Sequence, residues 1–298
     1  MPPCLRVEKA VTSELCRGGA VFHPSSQSCH NLCMPAPVDL AAAAAVIEPL
    51  LDAAAAMALR YFRSDLGVHD KGGAKGYDPV TEVDRGIETL LREGLAARFP
   101  SHAIVGEEHG TSGPADARAS WIIDPIDGTR AFISGSPEWG TLVGLRVDGV
   151  PAAGWAEIPY LGERFSAVGG DGWFTRQGQR RPLRARPDAT VANAILRCTH
   201  PAVFNAEERV AFKRLAGAVR LQRYGGDCYS YCLLALGLVD LVVESSLQAY
   251  DIVPLIPIIE AAGGIVTDLE GNAPLTGGIV VASANERLHD EAVAILRG

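Results

Sequence analysis

The sequence predicts an α/β fold in which helices cover layered sheets. Strand-like apolar runs alternate with segments of helical periodicity over most of the chain, and this alternation is typical of layered architectures. Apolar residues make up 48% of the 298 residues and charged residues 21%. These proportions are ordinary for a globular protein, and the length suffices for one large domain or two lobes.

The chain is predicted to divide into three regions. Residues 1–33 lack periodicity and contain four of the seven cysteines. We expect a leader there that is disordered or a non-native extension, with the native start at Met34. Residues 34–185 should form an N-terminal metal-binding lobe, and residues 186–298 a C-terminal lobe that completes the active site. The leader cysteines match no compact zinc-ligand spacing, which disfavours a zinc site.

Charge and hydropathy exclude several classes of partner. The formal net charge of −8 disfavours a nucleic-acid surface. The longest apolar stretch, 40–59, contains Glu48, Pro49 and Asp52, so it predicts a helix of a water-soluble protein rather than a membrane span. We therefore expect a cytoplasmic protein, with neither nucleic acid nor membrane as its partner. The later cysteines suit a reducing compartment.

The first half of the chain predicts two helices, a short strand and a hairpin. Residues 38–62 have helical periodicity, but Pro49 predicts a kink or break because an interior proline costs about 3 kcal/mol. Thr81 is a candidate N-cap for a second helix with an apolar stripe. The dipeptide Asp148–Gly149 is a hairpin signal. The strands expected here are 103–106, 141–147 and 150–158.

The second half continues the alternation. We expect residues 251–262 to be helical, with Pro254 and Pro257 near the first turns. The other predicted helices are 207–218, 228–238 and 286–296, and the predicted strands are 239–244, 265–268 and 278–283.

The segment Trp121–Arg130 is the centre of the predicted arrangement. An apolar run ends in Asp124 and Asp127, with Pro125 between them and Gly128 directly after. Carboxylates at a strand end can bind hard cations, and the following amides can bind a phosphate. A strand followed by a plain turn explains the same residue types equally well, because Asp, Pro and Gly all favour turns.

Five acidic residues share one sequence context. Asp78, Glu107, Asp124, Asp127 and Asp251 each follow a strand-like run or begin a helix. Such positions converge in folded α/β proteins, whereas acids on helix faces stay solvated. Because no His or Cys lies among them, the set favours Mg²⁺, Mn²⁺ or Ca²⁺ over Zn²⁺. Two such ions can stabilise the attacking and leaving oxygens of a displacement.

Four ordered motifs resemble those of the inositol monophosphatase family. They are Asp78–Asp84 (DPVTEVD), Gly106–Glu108 (GEE), Trp121–Thr129 (WIIDPIDGT) and Tyr250–Asp251. The similarity extends from about Val38 to the C-terminus. The resemblance implies a layered αβαβα sandwich of the inositol monophosphatase and fructose bisphosphatase type. It also implies a Mg²⁺-dependent phosphomonoesterase and a homodimer.

The resemblance also implies the metal ligands. By motif position, Glu107, Asp124 and the carbonyl of Ile126 would hold one ion, and Asp124, Asp127 and Asp251 a second. Glu107 would contribute to a third, weaker site. We therefore expect two or three Mg²⁺ ions, with Mn²⁺ as a substitute.

The remaining catalytic roles follow from the same motifs. Asp78 and Thr129 would orient the attacking water, with Glu107 assisting, and no covalent phosphoenzyme is implied. The amides of Gly128 and Thr129 would bind phosphate. Arg130 would either contact the phosphate or brace the loop. Asp84 is interpreted as structural.

The residues outside the shared motifs resemble the histidinol-phosphate phosphatase branch. They include Arg130, the run Gly225–Tyr231 (GGDCYSY) and Val239–Glu244 (VDLVVE). Asp227 and Glu244 would bind the cationic end of L-histidinol phosphate through charge-assisted hydrogen bonds. The sequence thus predicts hydrolysis of this small ester in histidine biosynthesis. An inositol-1-phosphate phosphatase of broad specificity stays open, since Glu244 can also serve hydroxyl groups, and a non-catalytic scaffold is the alternative from another class.

Overall fold

A computed structural model describes residues 38–64, 68–70 and 79–298. The predicted leader, the start at Met34 and Asp78 all lie outside these residues. The helices are α1 (Leu40–Tyr61), α2 (Glu82–Arg98), α3 (Thr129–Ser134), α4 (Ala206–Ala218), α5 (Asp227–Ala235), α6 (Ala249–Ile252), α7 (Leu255–Ala261) and α8 (Glu286–Arg297).

The strands of the first half are β1 (Val68–Asp70), β2 (Pro79–Thr81), β3 (Ala103–Gly106), β4 (Gly110–Ser112), β5 (Ala119–Asp127), β6 (Gly140–Val147), β7 (Val150–Ile158), β8 (Glu163–Val168), β9 (Asp171–Arg176) and β10 (Gln179–Pro182). Those of the second half are β11 (Ile195–Cys198), β12 (Leu221–Tyr224), β13 (Leu241–Leu247), β14 (Ile265–Thr267) and β15 (Gly278–Ser283). Short 3₁₀ turns begin at Pro159, Val191 and Pro201.

Two large sheets dominate the described residues. One has the order β10-β9-β8-β7-β6-β5-β3-β4, and the other β12-β11-β13-β15-β14. In the first sheet β3 and β5 are parallel, and the other pairs are antiparallel. Because β3 and β5 run the same way, the residues that follow them emerge at the same edge. That edge carries Glu107 and Asp124.

The helices and sheets form five layers. Helices α1 and α2 pack together on the outer face of the larger sheet, and α5 and α7 lie between the two sheets. Helices α4 and α8 pack together, and α8 covers the smaller sheet. The predicted αβαβα sandwich is confirmed.

Two hydrophobic cores hold these layers together. Ile47 and Leu51 of α1 and Ile87 of α2 pack in the outer core with Trp121 and Trp155 of the larger sheet. The rings of Trp121 and Trp155 have centroids 6.2 Å apart. The inner core fills the space around α5 and α7 with residues from both sheets. Strand β5 lies between the two cores and is buried on both faces. This is why most of its residues are apolar.

The hairpin prediction is confirmed in detail. Val147 pairs with Val150, and Asp148 and Gly149 have positive φ angles of 51° and 83°. A two-residue turn with both φ angles positive matches the twist of an antiparallel hairpin.

Two prolines differ from expectation in whether they interrupt a helix, and a kink at Pro49 stays a prediction. Helix α1 continues through Pro49 without a break, because its buried face, including Ile47 and Leu51, holds it against the core. Conversely, the expected helix 251–262 is divided into α6 and α7, with Pro254 at the N-cap position of α7. A proline lacks the N–H that would continue the hydrogen-bond ladder.

Helix α1 is long and apolar enough to span a membrane, by length and composition alone. In the fold, Ala43, Ile47, Leu51, Ala54 and Ala58 face the core. One such helix is weak evidence for a membrane span, because core helices meet the same criteria.

The predicted boundary between residues 185 and 186 stays a prediction. It falls between β10, the last strand of the larger sheet, and β11 of the smaller one. Thr81 directly precedes α2, and its role as N-cap stays a prediction.

Candidate active site

The edge formed by β3 and β5 places two acids side by side. The amide of Glu107 donates a hydrogen bond to the carbonyl of Ile123 at 3.3 Å, which extends the pairing of the two strands. Asp124 follows Ile123 directly and is only 2% exposed. Both carboxylates therefore lie at the mouth of the same cleft, which they line.

A bulge in β5 brings Asp127 into the same cleft. The pairing with β6 shifts register between Asp124 and Asp127, where Pro125 has no N–H to donate. The carbonyl of Pro125 instead accepts a 2.8 Å hydrogen bond from the hydroxyl of Thr141. Gly128 then adopts a φ of 84° as the N-cap residue of α3. The bulge thus presents Asp124 and Asp127 towards the same space.

Thr129 is fixed by a local hydrogen bond. Its hydroxyl donates to the carbonyl of Ile126 at 3.1 Å. Ile126, Gly128, Thr129 and the exposed Arg130 all line the cleft.

Asp251 reaches the cleft from the second half of the chain. It is the third residue of α6, and its Oδ2 accepts a 2.7 Å hydrogen bond from the amide of Gln248 in a capping box. One oxygen from each of Asp124, Asp127 and Asp251 lies within 4.8 Å of the others. We call these three residues the acidic cluster.

The acidic cluster resists ionisation in the absence of cations. Burial raises the pKa of Asp124 well above its ordinary value, and the charges of Glu107, Asp127 and Asp251 raise it further. Burial and the charges of Asp227 and Asp251 likewise raise the pKa of Asp127. Burial raises the pKa of Asp251 to about 6. Bringing like charges this close without compensation is unfavourable.

The cluster has the properties of a site for hard cations. The buried Oδ1 of Asp124 has no hydrogen-bond partner among the described residues. The three closest donors are carboxylates, and Glu107 and the Ile126 carbonyl lie in the same cleft. Oxygen ligands of this kind select Mg²⁺ or Mn²⁺ over zinc. The residues present therefore fit the divalent ions that the sequence predicts.

Two further acids border the other side of the cleft. Asp227 lines the main cleft, of about 540 Å³, and also an adjoining cavity of about 230 Å³. Glu244 lines the adjoining cavity. The two spaces share the residues Asp127, Thr199, Asp227, Ser246 and Asp251. We call Asp227 and Glu244 the distal pair.

Asp227 has a hydrogen-bond donor and two arginine side chains nearby. Burial and Glu138 raise the pKa of Asp227 to about 6, against the lowering effect of Arg130, Thr199 and Arg197. Arg130 thus acts on Asp227, an effect that the sequence did not suggest.

Glu244 is buried, and its carboxylate accepts a hydrogen bond from the backbone. Only 2% exposed, it accepts a 2.5 Å hydrogen bond from the amide of Thr199. Burial raises its pKa to about 7 although that hydrogen bond lowers it. A carboxyl with this pKa can exchange its proton near neutrality.

Helix α5 links the acidic cluster to the distal pair. The amide of Cys228 donates to Oδ2 of Asp127 at 2.6 Å, and Asp227 is the first residue of the same helix. Asp227 has a φ of 39°, which is uncommon for a non-glycine residue.

Several residues of the site were not identified from the sequence. Thr199 binds Glu244 through its amide, and Arg197 is buried and bonded to Glu138 at 2.8 Å. Glu88 is fully buried on α2, where its carboxylate accepts two amide hydrogen bonds from the segment after Glu107. No local motif distinguishes these residues, since their roles depend on strand pairing.

Trp139 and Asp84 are both buried. Trp139 is fully buried, with its ring 4.7 Å from that of Phe132 and 5.3 Å from that of Phe62. Asp84 is 3% exposed, and its charge raises the pKa of Asp124.

Comparison with known proteins identifies the family. The model of the inositol monophosphatase family matches residues 39–297. The chain belongs to this family. It is therefore a phosphoric monoester hydrolase that acts on small phosphate esters, and its family is metal-dependent with Mg²⁺ as the typical ion.

The similar proteins include enzymes of two specificities. The chain is 37% identical over 268 residues to the chloroplastic bifunctional phosphatase IMPL2 of Arabidopsis thaliana, covering 85% of this chain and 74% of that protein. It is 33% identical over 249 residues to a histidinol-phosphatase of Chlorobaculum parvum, covering 83% and 93%. Among solved structures, an inositol monophosphatase from Zymomonas mobilis matches with a TM-score of 0.77 at 35% identity, covering 88% and 100%.

Proposed function

We propose that this phosphatase hydrolyses L-histidinol phosphate to L-histidinol and phosphate. The observation that carries the proposal is the distal pair, Asp227 and Glu244, beside the acidic cluster. Histidinol has an ammonium group and an imidazole, and two carboxylates next to the phosphate site can bind both through charge-assisted hydrogen bonds. The similarity to histidinol-phosphatases supports the same substrate.

The size of the two spaces fits a substrate of this class. The main cleft would take the phosphate next to Gly128 and Thr129, and the cavity of about 230 Å³ would take the organic part. Val203 and Leu247 give that cavity apolar surface. A flat imidazole can place its faces against such surface and its N–H groups towards the carboxylates of Asp227 and Glu244.

We propose that the acidic cluster, Glu107 and the carbonyl of Ile126 hold two or three Mg²⁺ ions. When bound, such ions would polarise the phosphate oxygens and lower the pKa of water in the site. Asp124 would contribute to two of the ions because the charges of Glu107 and of both other cluster acids act on it.

The chain's own groups would then orient the reactants. The Thr129 hydroxyl donates a hydrogen bond to the carbonyl of Ile126, so its oxygen can accept a hydrogen bond from the attacking water. Asp78, outside the described residues, would be the second acceptor. The amides of Gly128 and Thr129 would hold the phosphate, and Arg130 would neutralise part of its charge or that of Asp227.

A phosphate-release assay tests the substrate assignment. The purified enzyme, with saturating Mg²⁺, is given histidinol phosphate, inositol 1-phosphate and a nucleotide bisphosphate. We expect kcat/KM to be at least about tenfold higher for histidinol phosphate, since one charge-assisted hydrogen bond is worth roughly 1.5–3 kcal/mol. A higher kcat/KM on inositol 1-phosphate would instead establish the second candidate.

The second candidate is an inositol-1-phosphate phosphatase of broad specificity. The similarity to the Zymomonas mobilis inositol monophosphatase favours it, and Glu244 can accept hydrogen bonds from ring hydroxyls. A non-catalytic scaffold is disfavoured because it would not require Thr129 beside a cluster of buried acids.

We also propose a cytoplasmic homodimer. The buried thiols of Cys198, Cys228 and Cys232 are free, which suits a reducing compartment. Leu221 and Tyr224, on the edge strand β12, are 47% and 46% exposed and offer apolar surface to a second copy. Light scattering on the purified protein gives the mass, and a monomeric mass at micromolar concentration would contradict the dimer.

A further inference from the structure

Glu88 lies behind the segment that presents Glu107 to the cleft. It is on α2 and is fully buried. Oε2 accepts a hydrogen bond from the amide of Glu108 at 2.7 Å, and Oε1 accepts one from the amide of His109 at 3.1 Å. Because these amides belong to the two residues after Glu107, one carboxylate holds the turn that begins there.

An arginine completes this arrangement. The Nε of Arg92, one helical turn along α2, donates to Oε1 of Glu88 at 2.6 Å. Its other nitrogens bond the Ser112 hydroxyl at 2.8 Å and the carbonyl of Gly110. Glu88 and Arg92 together therefore bind both the turn and strand β4. Arg92 also compensates the buried negative charge of Glu88.

The strand before Glu107 is shaped to accept this carboxylate. A Cβ at Gly106 would lie 2.2 Å from Oε1 of Glu88. Real side chains do not approach this closely, so a glycine is needed for Glu88 to reach the amides. The close approach at Gly106, the two hydrogen bonds from backbone amides and Arg92 all fix the chain on either side of Glu107.

We infer that Glu88 is a positioning residue for divalent-metal binding, because it fixes the backbone that aims the carboxylate of Glu107. It does not line the cleft itself. Groups that orient a metal ligand commonly contribute about 10–100-fold to metal affinity. The inference rests on the proposed metal role of Glu107 and is independent of which ester is hydrolysed.

The decisive variant is Glu88→Gln, which preserves side-chain volume. Its amide NH₂ group would face an N–H donor, so one of the hydrogen bonds now made by the carboxylate is lost. Binding of Mn²⁺ alone is measured by electron paramagnetic resonance, with no substrate present. We expect the Mn²⁺ dissociation constant to rise about tenfold, and kcat at saturating Mg²⁺ to change less than twofold.

Glu93→Gln is the matched control. Glu93 is exposed on the same helix, so the same chemical change there should leave Mn²⁺ binding unaltered. Thermal unfolding in EDTA measures any purely structural effect. If Glu88→Gln lowers the metal-free melting temperature but binds Mn²⁺ like the wild type, the inference is wrong and Glu88 only supports the fold.

A second variant keeps the test decisive if Glu88→Gln does not fold. Arg92→Gln removes the hydrogen bonds to Ser112 and Gly110 but leaves the two hydrogen bonds that Glu88 accepts from backbone amides. We expect a smaller rise in the Mn²⁺ dissociation constant, of about threefold. An unchanged constant in this folded variant would also overturn the inference. A wild-type protein that binds no Mn²⁺ would refute the metal proposal itself.

Discussion

The acidic cluster and the distal pair are both built from buried carboxyl groups, but their surroundings differ. In the cluster, the charges that act on Asp124 are those of other carboxylates. In the distal pair, Asp227 has Arg130 and Arg197 nearby, and Glu244 accepts a backbone hydrogen bond. Backbone amides also donate hydrogen bonds to Asp127 and Asp251, so what distinguishes the distal pair is the cationic compensation that Arg130 and Arg197 give Asp227.

This difference separates the two tasks of a phosphatase. The carboxylates of the acidic cluster repel one another, and divalent ions relieve this repulsion. The cluster therefore suits metal binding and the chemical step. A partly compensated pair gains less from a metal ion but can still bind a cationic or hydrogen-bonding part of an organic substrate. We therefore expect substitutions in the cluster to abolish turnover and those in the pair to change selectivity.

The largest expected effect is that of Asp127→Asn. The loss of one cluster carboxylate should lower kcat by at least about 10³-fold, since a bound ion contributes several kcal/mol. In EDTA the same variant should be more stable than the wild type, because like-charge repulsion is relieved. Turnover and thermal unfolding give the two values. Activity within tenfold of wild type would show that the cluster does not hold the catalytic ions.

The distal pair is tested by Asp227→Asn. We expect kcat/KM on histidinol phosphate to fall roughly tenfold, the value of one charge-assisted hydrogen bond. On inositol 1-phosphate the change should stay within about threefold, because a hydroxyl can bond the amide. Steady-state kinetics on both esters provide the comparison. Equal losses on the two substrates would place Asp227 in the common chemistry rather than in selectivity.

Glu244 contributes to the pH dependence of stability. Its pKa is about 7 in the folded protein against an ordinary value of 4.5, so the unfolded chain loses this proton first. Glu244 therefore contributes stability that is complete below pH 4.5 and is lost as the pH rises through about 7. The loss is on the order of 3 kcal/mol.

Glu244→Gln should remove this dependence. Urea unfolding in EDTA, between about pH 5 and pH 8, should show a flatter stability profile for the variant than for the wild type. Parallel profiles would mean that Glu244 ionises in the folded protein as it does in the unfolded chain.

The smallest expected effects come from two tyrosines of α5. The hydroxyl of Tyr231, which lines the cavity beside Glu244, is buried and has no hydrogen-bond partner among the described residues. That of Tyr229 donates to Glu163 at 3.0 Å. Tyr231→Phe should raise the free energy of unfolding by about 1 kcal/mol, and Tyr229→Phe should lower it by a similar amount. Urea unfolding of both variants checks the opposite signs, and a loss in Tyr231→Phe would reveal a partner for its hydroxyl.

The sequence alone determined the features that depend on neighbouring residues. The alternation of apolar patterns predicted the α/β class, and Asp148–Gly149 predicted a hairpin that the structure confirms. The motif around Asp124 and Asp127 predicted a bend at a strand end, where Pro125 and Gly128 allow few other conformations.

Only the tertiary structure decided which distant groups meet. Asp251 joins Asp124 because the N-terminus of α6 lies against the larger sheet. Glu88 reaches the turn after Glu107 because α2 packs against β5, the parallel neighbour of β3. Thr199 meets Glu244 because β11 pairs with β13. Strand pairing and layer packing are non-local, so residue spacing does not encode them, and they also kept α1 continuous through Pro49.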